Sequence, residues 1–191
     1  VQAGLQTGGS IDEFDPSFSA SITGDVTSTG FVNINAGGNA TFVNGANVIS
    51  DNGITVFTGD DIIVQNGARI EAGANAAGPA NTANPFASAN NLRLSAGELS
   101  DTGQLLGNGP TPIASIIAAG DIVANDFAVV MTATAVDGLG GSIDASSVSI
   151  DIDNAPNAGD APNNDAGLLS ANCLQGSVCL GSISADNNIS I

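Results

Sequence analysis

Short runs of alternating apolar and polar residues, each closed by Gly, Asn or Asp, dominate the chain. Phe31-Val32-Asn33-Ile34-Asn35, Ile54-Thr55-Val56-Phe57 and Asp61-Ile62-Ile63-Val64 are early examples. Ala128-Val129-Val130-Met131 and Val148-Ser149-Ile150-Asp151-Ile152 follow later. Alternation over so few residues predicts strands with one buried face. Asn-Gly pairs beginning at Asn44, Asn52, Asn66 and Asn108 punctuate the runs and predict turns with positive φ. No stretch carries a capped helical stripe. The Ala-rich piece around 72–80 is broken by Gly73, Gly78 and Pro79.

The strands carry an internal repeat. Gly120-Asp121-Ile122-Val123-Ala124, Gly141-Ser142-Ile143-Asp144-Ala145 and Gly181-Ser182-Ile183-Ser184-Ala185 share one frame, and each precedes a second short strand. Gly59-Asp60-Asp61-Ile62, followed by Ala68-Arg69-Ile70-Glu71-Ala72, reads as a looser version. Gly allows the corner, Ile points inward and its polar neighbour points out. The expected fold is all-β, a parallel β-solenoid with two long inserted loops; the alternative is a β-sandwich or jelly roll. A sandwich favours longer strands and aromatic core residues, whereas seven Phe are the only aromatics here. With roughly 20 residues and about 4.8 Å per coil, the chain is expected to make on the order of eight to nine coils. Residues 1–15 are expected to be an extended, strand-donating segment, and 16–191 one solenoid domain interrupted by loops 73–91 and 153–167.

The three Gly-x-Ile-x-Ala rungs resemble the degenerate coils of filamentous-haemagglutinin-type exoproteins, which are bacterial surface adhesins. The resemblance covers about half the chain. It implies a right-handed parallel β-helix, export and a structural or adhesive role. The chain departs from that family in length and lacks the family's N-terminal secretion-domain pattern, and no catalytic or binding residue carries over.

Charge narrows the partners. Nineteen acids against two bases give a net charge of −17; Arg69 and Arg93 are the bases, and Lys and His are absent. Nucleic-acid partners need cations that this chain lacks, and an anionic membrane surface repels it. The apolar region 113–136 is broken by Gly120, Asp121 and Asp126, so no membrane insertion is expected. The Val1-Gln2-Ala3-Gly4 opening is read as that of a mature secreted protein, found outside the cell or on its surface. In that compartment Cys173 and Cys179 are expected to form a disulfide closing a short loop.

Chemistry is sparse. Without His there is no Ser-His or Cys-His nucleophilic system, and without Lys there is no Schiff base or phosphate-binding loop. The paired acids Asp60-Asp61 and Asp151/Asp153 are read as solvated surface, so the chain is not expected to be an enzyme; a carbohydrate-active enzyme is the third reading. Asp151, Asp153, Asp160 and Asp165 are read first as part of a polar loop, with no cofactor expected; the alternative is bound calcium, which their oxygen donors suit. The expected function is that of a structural subunit pairing with copies of itself, head to tail, in an extracellular filament. Val1, Leu5 and Ile11 at one end and Ile189 and Ile191 at the other are the expected assembly residues. The alternative is an adhesin module that binds a glycan or host surface through its two loops.

Overall fold

The computed structural model describes residues 2–3, 19–74, 91–96, 116–132, 136–137, 141–152, 178–179 and 181–191. These are all strands, turns and bends, with no helix. Every strand pairing among them is parallel. The strands are β1 (Gln2–Ala3), β2 (Ala20–Ile22), β3 (Val26–Ser28), β4 (Val32–Ala36), β5 (Ala40–Phe42), β6 (Asn47–Ser50), β7 (Ile54–Thr58) and β8 (Ile62–Val64). Then come β9 (Arg69–Ala72), β10 (Leu92–Ser95), β11 (Ile116–Ala118), β12 (Asp121–Thr132), β13 (Val136–Asp137), β14 (Ser142–Ile152), β15 (Val178–Cys179) and β16 (Ser182–Ser190).

Successive strands fall in rotation into three open sheets. The first holds β2, β5, β8, β11, β13 and β15. The second runs β3, β6, β9 and the first half of β12, then the first halves of β14 and β16. The third runs β1, β4, β7, β10 and the second half of β12, then the second halves of β14 and β16. The second and third sheets join because β12, β14 and β16 pass through the corner as continuous strands. A register shift marks that corner: Ala124 pairs with Ala145, yet Phe127 pairs with Ser147. β14 therefore has one residue at the bend where β12 has two, a bulge that turns the chain.

The alternation read from the sequence is the burial pattern found. β7 and β8 alternate buried and half-buried residues from end to end, and in β4 the buried residues alternate with exposed Asn33 and half-buried Asn35. Inward residues stack in register. Val48, Ile70, Ile122 and Ile143 form one fully buried column of the second sheet. Val32, Ile54, Leu92, Ala128 and Val148 form one in the third. In the first sheet, Phe42 lies between Ile22 and Val64, with Ala118 beyond. Small next to large keeps such a column filled.

Corners are built by local chemistry. Ser28 Oγ accepts from Gly30 N at 3.1 Å, and Ser50 Oγ accepts from Asn52 N at 3.0 Å. Ser28 and Ser50 are register partners, so one hydroxyl turn is stacked on the other. The next residue in that column is Ala72, which has no hydroxyl, and there Gly73 makes the corner at φ 77°. Its N–H donates to the carbonyls of Ser50 and Asn52, both at 2.8 Å.

The structure corrects the sequence reading at several points. Asn44-Gly45 and Asn66-Gly67 are stacked positive-φ turns, as expected, but Gly53 of the Asn52 pair is not in that region. Gly53 is needed for close approach: a Cβ there would lie 2.9 Å from the Phe31 ring and 3.1 Å from Asn91 O. The looser repeat was framed one strand early. Ile62 pairs with Ala40 and Ile116 in the first sheet, and it is Ile70 that pairs with Ile122. Among the described residues the first sheet has six strands, against an expectation of eight to nine coils. Positions Ala20, Ala40 and Ile62 follow at the expected spacing, as do Ile116 and Val136, but far more chain separates Ile62 from Ile116 and Val136 from Val178. Of the expected loops, 75–90 and 153–167 lie outside the described residues. In the 1–15 segment, Gln2 and Ala3 pair with Asn35 and Ala36 of the same chain.

Two glycines give opposite expectations. A Cβ on Gly141 would collide with Ala118 O and lie 2.6 Å from Gly120 O, both backbone atoms, whereas one on Gly24 would meet nothing within 4 Å. Gly141→Ala should cost about 1–3 kcal/mol by overpacking, and Gly24→Ala should stay within about 0.5 kcal/mol of wild type. Urea unfolding of both variants measures the difference.

Candidate functional site

The corner between the second and third sheets carries a groove of 280 Å³. Glu71, Asn125, Asp144, Ser146 and Asp186 supply its polar lining. Register explains the gathering. Glu71, Val123, Asp144 and Ser184 occupy one outward column of the second sheet. Asn125, Ser146 and Asp186 occupy the bulged bend that follows. Three carboxylates thus come together from three strands distant in sequence.

Cations and amides moderate this acidity from the side. Arg69 Nε donates to Glu71 Oε2 at 2.9 Å, and Arg69 Nη1 lies 3.9 Å from Asp121 Oδ2. Ser142 Oγ donates to Asp121 Oδ1 at 3.1 Å. At the bend, Asn187 Nδ2 donates to Ser146 Oγ at 2.8 Å and to Ser146 O at 3.2 Å. Asn125 Nδ2 donates to Asp126 Oδ1 at 3.2 Å, and Asp126 is buried. Ser147 Oγ, by contrast, is buried without a hydrogen-bond partner. The groove therefore presents hydrogen-bond acceptors. Among the described residues, no three of the His, Cys, Asp or Glu side chains are grouped to hold a metal ion.

The residues singled out from the sequence fall elsewhere. Asp151 is in β14, in register with Met131, while Asp153, Asp160 and Asp165 lie outside the described residues. The calcium alternative is therefore not drawn together here. Asp60 and Asp61 are not the solvated pair expected: Asp61 is 2% exposed and its N–H donates to Asn39 Oδ1 at 3.1 Å, and Asp60 is half-buried. Cys179 is disulfide-bonded and sits in β15, in register with Asp137. The chain's other cysteine, Cys173, is outside the described residues. Of the expected assembly residues, Val1, Leu5 and Ile11 also lie outside them. Ile189 pairs with Val148 yet is 50% exposed, and Ile191 is 74% exposed.

Sequence reasoning missed the groove. Glu71 and Asp144 each looked like an ordinary outward residue of a strand, and only the register across Val123 brings them near each other. The chain matches no family model, no curated relative and no solved structure.

The bend makes two neighbouring serines behave differently. Ser147→Ala removes an unsatisfied buried hydroxyl and should leave stability unchanged or raise it by about 1 kcal/mol. Ser146→Ala removes the acceptor of Asn187 and should cost about 1 kcal/mol. Paired denaturation curves distinguish the two.

Proposed function

We propose that this chain is a non-catalytic structural protein, a parallel β-solenoid whose copies stack end to end by strand pairing into a filament outside the cell. The observation that carries the reading is the state of β16. It pairs with β14 on one side, and among the described residues no strand pairs with its other edge. Its inward Ile183 and Ala185 are only partly buried, and Ile189 is half exposed. An open parallel edge with apolar residues in the inward positions is a template for another strand.

Other features support the same reading. Strands that rotate through three parallel sheets are what a solenoid requires, and the rungs that resemble the haemagglutinin-type coils imply a right-handed one. A net charge of −17 keeps outward faces apart and leaves the edges as the surfaces able to associate. The disulfide at Cys179 fits an oxidising, extracellular compartment. The lack of His and Lys removes the commonest nucleophile and base chemistries from the chain.

Electron microscopy and sedimentation of the purified chain at high concentration, with and without calcium, test the proposal. Filaments are expected from the wild type. Ile189→Asp, which puts a charge at the half-exposed position of the edge, should abolish them while leaving the far-ultraviolet spectrum unchanged. Discrete monomers under every condition would sink the reading.

A further inference from the structure

Among the described residues each sheet ends in strands paired on one side only, and the second sheet is set apart by the partly buried inward residues at its two ends. The third sheet ends in β1, which pairs with Asn35 and Ala36 of β4. In the first sheet, Ala20 and Ile22 of the terminal strand β2 are buried. The second sheet begins at β3 and ends at the first half of β16, each paired on one side. Its inward column runs Val26, Val48, Ile70, Ile122, Ile143, Ile183. The four middle members are fully buried, while Val26 and Ile183 at the two ends are only partly so. A buried column thus has a partly buried β-branched residue at each end.

The neighbouring outward column carries the chemistry of the match. It reads Asn47, Arg69, Asp121, Ser142, Ser182 by register, with Asp25 preceding Val26 at its start. Asp121 has a donor on each side: the Arg69 guanidinium at 3.9 Å and the Ser142 hydroxyl at 3.1 Å. Asp25 takes one donor from the side of Asn47, whose Nδ2 lies 2.9 Å from Asp25 Oδ1. On its other side no strand pairs with β3 among the described residues. Ser182, at the far end of the column, is exposed and carries the hydroxyl that Ser142 uses on Asp121.

We propose that β16 of one copy receives β3 of a second copy in parallel, with Ile183 on Val26 and Ser182 on Asp25. This inference rests on the end-to-end reading above and fixes its register. The joint gives Asp25 the donor pair that Asp121 already has. It extends the buried column without a break, and it sets Ser184 beside Thr27 and Ala185 beside Ser28. No carboxylate is placed against another. The opposite arrangement, β16 against β16, would bring Asp186 near its own copy and leave Asp25 with one donor.

Two measurements test the register in the full chain. Thr27→Cys and Ser184→Cys are both exposed and both outward, so neither disturbs the core. Chains carrying one substitution each are mixed and treated with a short thiol-specific cross-linker. Dimers joining a Thr27→Cys chain to a Ser184→Cys chain are expected. Ser184→Cys chains linking to each other would overturn the register in favour of a tail-to-tail joint. In parallel, Ser182→Asp should weaken assembly by about tenfold or more through like-charge contact, and Asp25→Asn in the same chain should restore it. Filaments that ignore Ser182→Asp, and whose mixed thiols do not cross-link, would overturn this joint and leave end-to-end stacking standing. A wild-type chain that never assembles would overturn both.

Discussion

In-register parallel pairing is the constraint on which the rest of this structure depends. Each residue stands beside the residue one circuit away, so a column must have one chemistry along its whole length. The inward columns satisfy this mainly with Val, Ile, Leu and Ala, and where Ser50 and Thr58 are buried in them each hydroxyl donates to a backbone carbonyl. A slip of one residue would turn every inward side chain outward, and the polar residues between them would then be buried. The outward columns meet a different demand. With 19 acids in the chain, carboxylates are bound to meet unless they are spaced. In the registered pairs no carboxylate faces another: Asp121 lies between Arg69 and Ser142, and Val123 separates Glu71 from Asp144. Like charges directly opposite would destabilise a parallel ladder, so this spacing is what lets so acidic a chain pair its strands.

The same constraint explains what the sequence disclosed. The rungs beginning at Gly120, Gly141 and Gly181 are aligned in the structure as they align by eye, with Ile122 on Ile143 on Ile183 and Ala124 on Ala145 on Ala185. They were legible because no insertion separates their two strands. The earlier rung was misframed because glycine was taken as its marker. Glycine in these rungs answers a local need, the close approach of backbone carbonyls to Gly120 and Gly141. Ala68 holds the position before Arg69, so the glycine signal vanishes there while the inward Ile70 remains. The inward residue, not the corner residue, carries the period.

The groove was hidden for a related reason. Its residues come from β9, β12, β14 and β16, and a long stretch of chain parts β9 from β12. Alternation tells which way a side chain points, but the neighbour it meets is set by the circuit. Once Arg69 is registered on Asp121, the acidic corner follows. The bulge is equally unreadable from composition: one residue against two at the bend is a difference of chain length between circuits, and nothing in Ser146 or Asn125 announces it.

Charge and edges together limit how such a structure can associate. Outward faces with excess carboxylate repel one another over roughly 8–10 Å at moderate salt, which is longer than the spacing of two strands. Lateral contact between faces therefore meets repulsion before any backbone group can pair. An edge is different, because a strand arriving there is met by hydrogen-bond donors and acceptors and by the ends of apolar columns. Among the described residues each sheet ends in strands paired on one side only. The partly buried hydrophobics packed against the core, Val26, Ile183 and Ala185, are all on one sheet and at its two ends. Repulsion between acidic faces and the register that fills the columns thus disfavour the same contacts and favour the same one, a strand that continues an existing column.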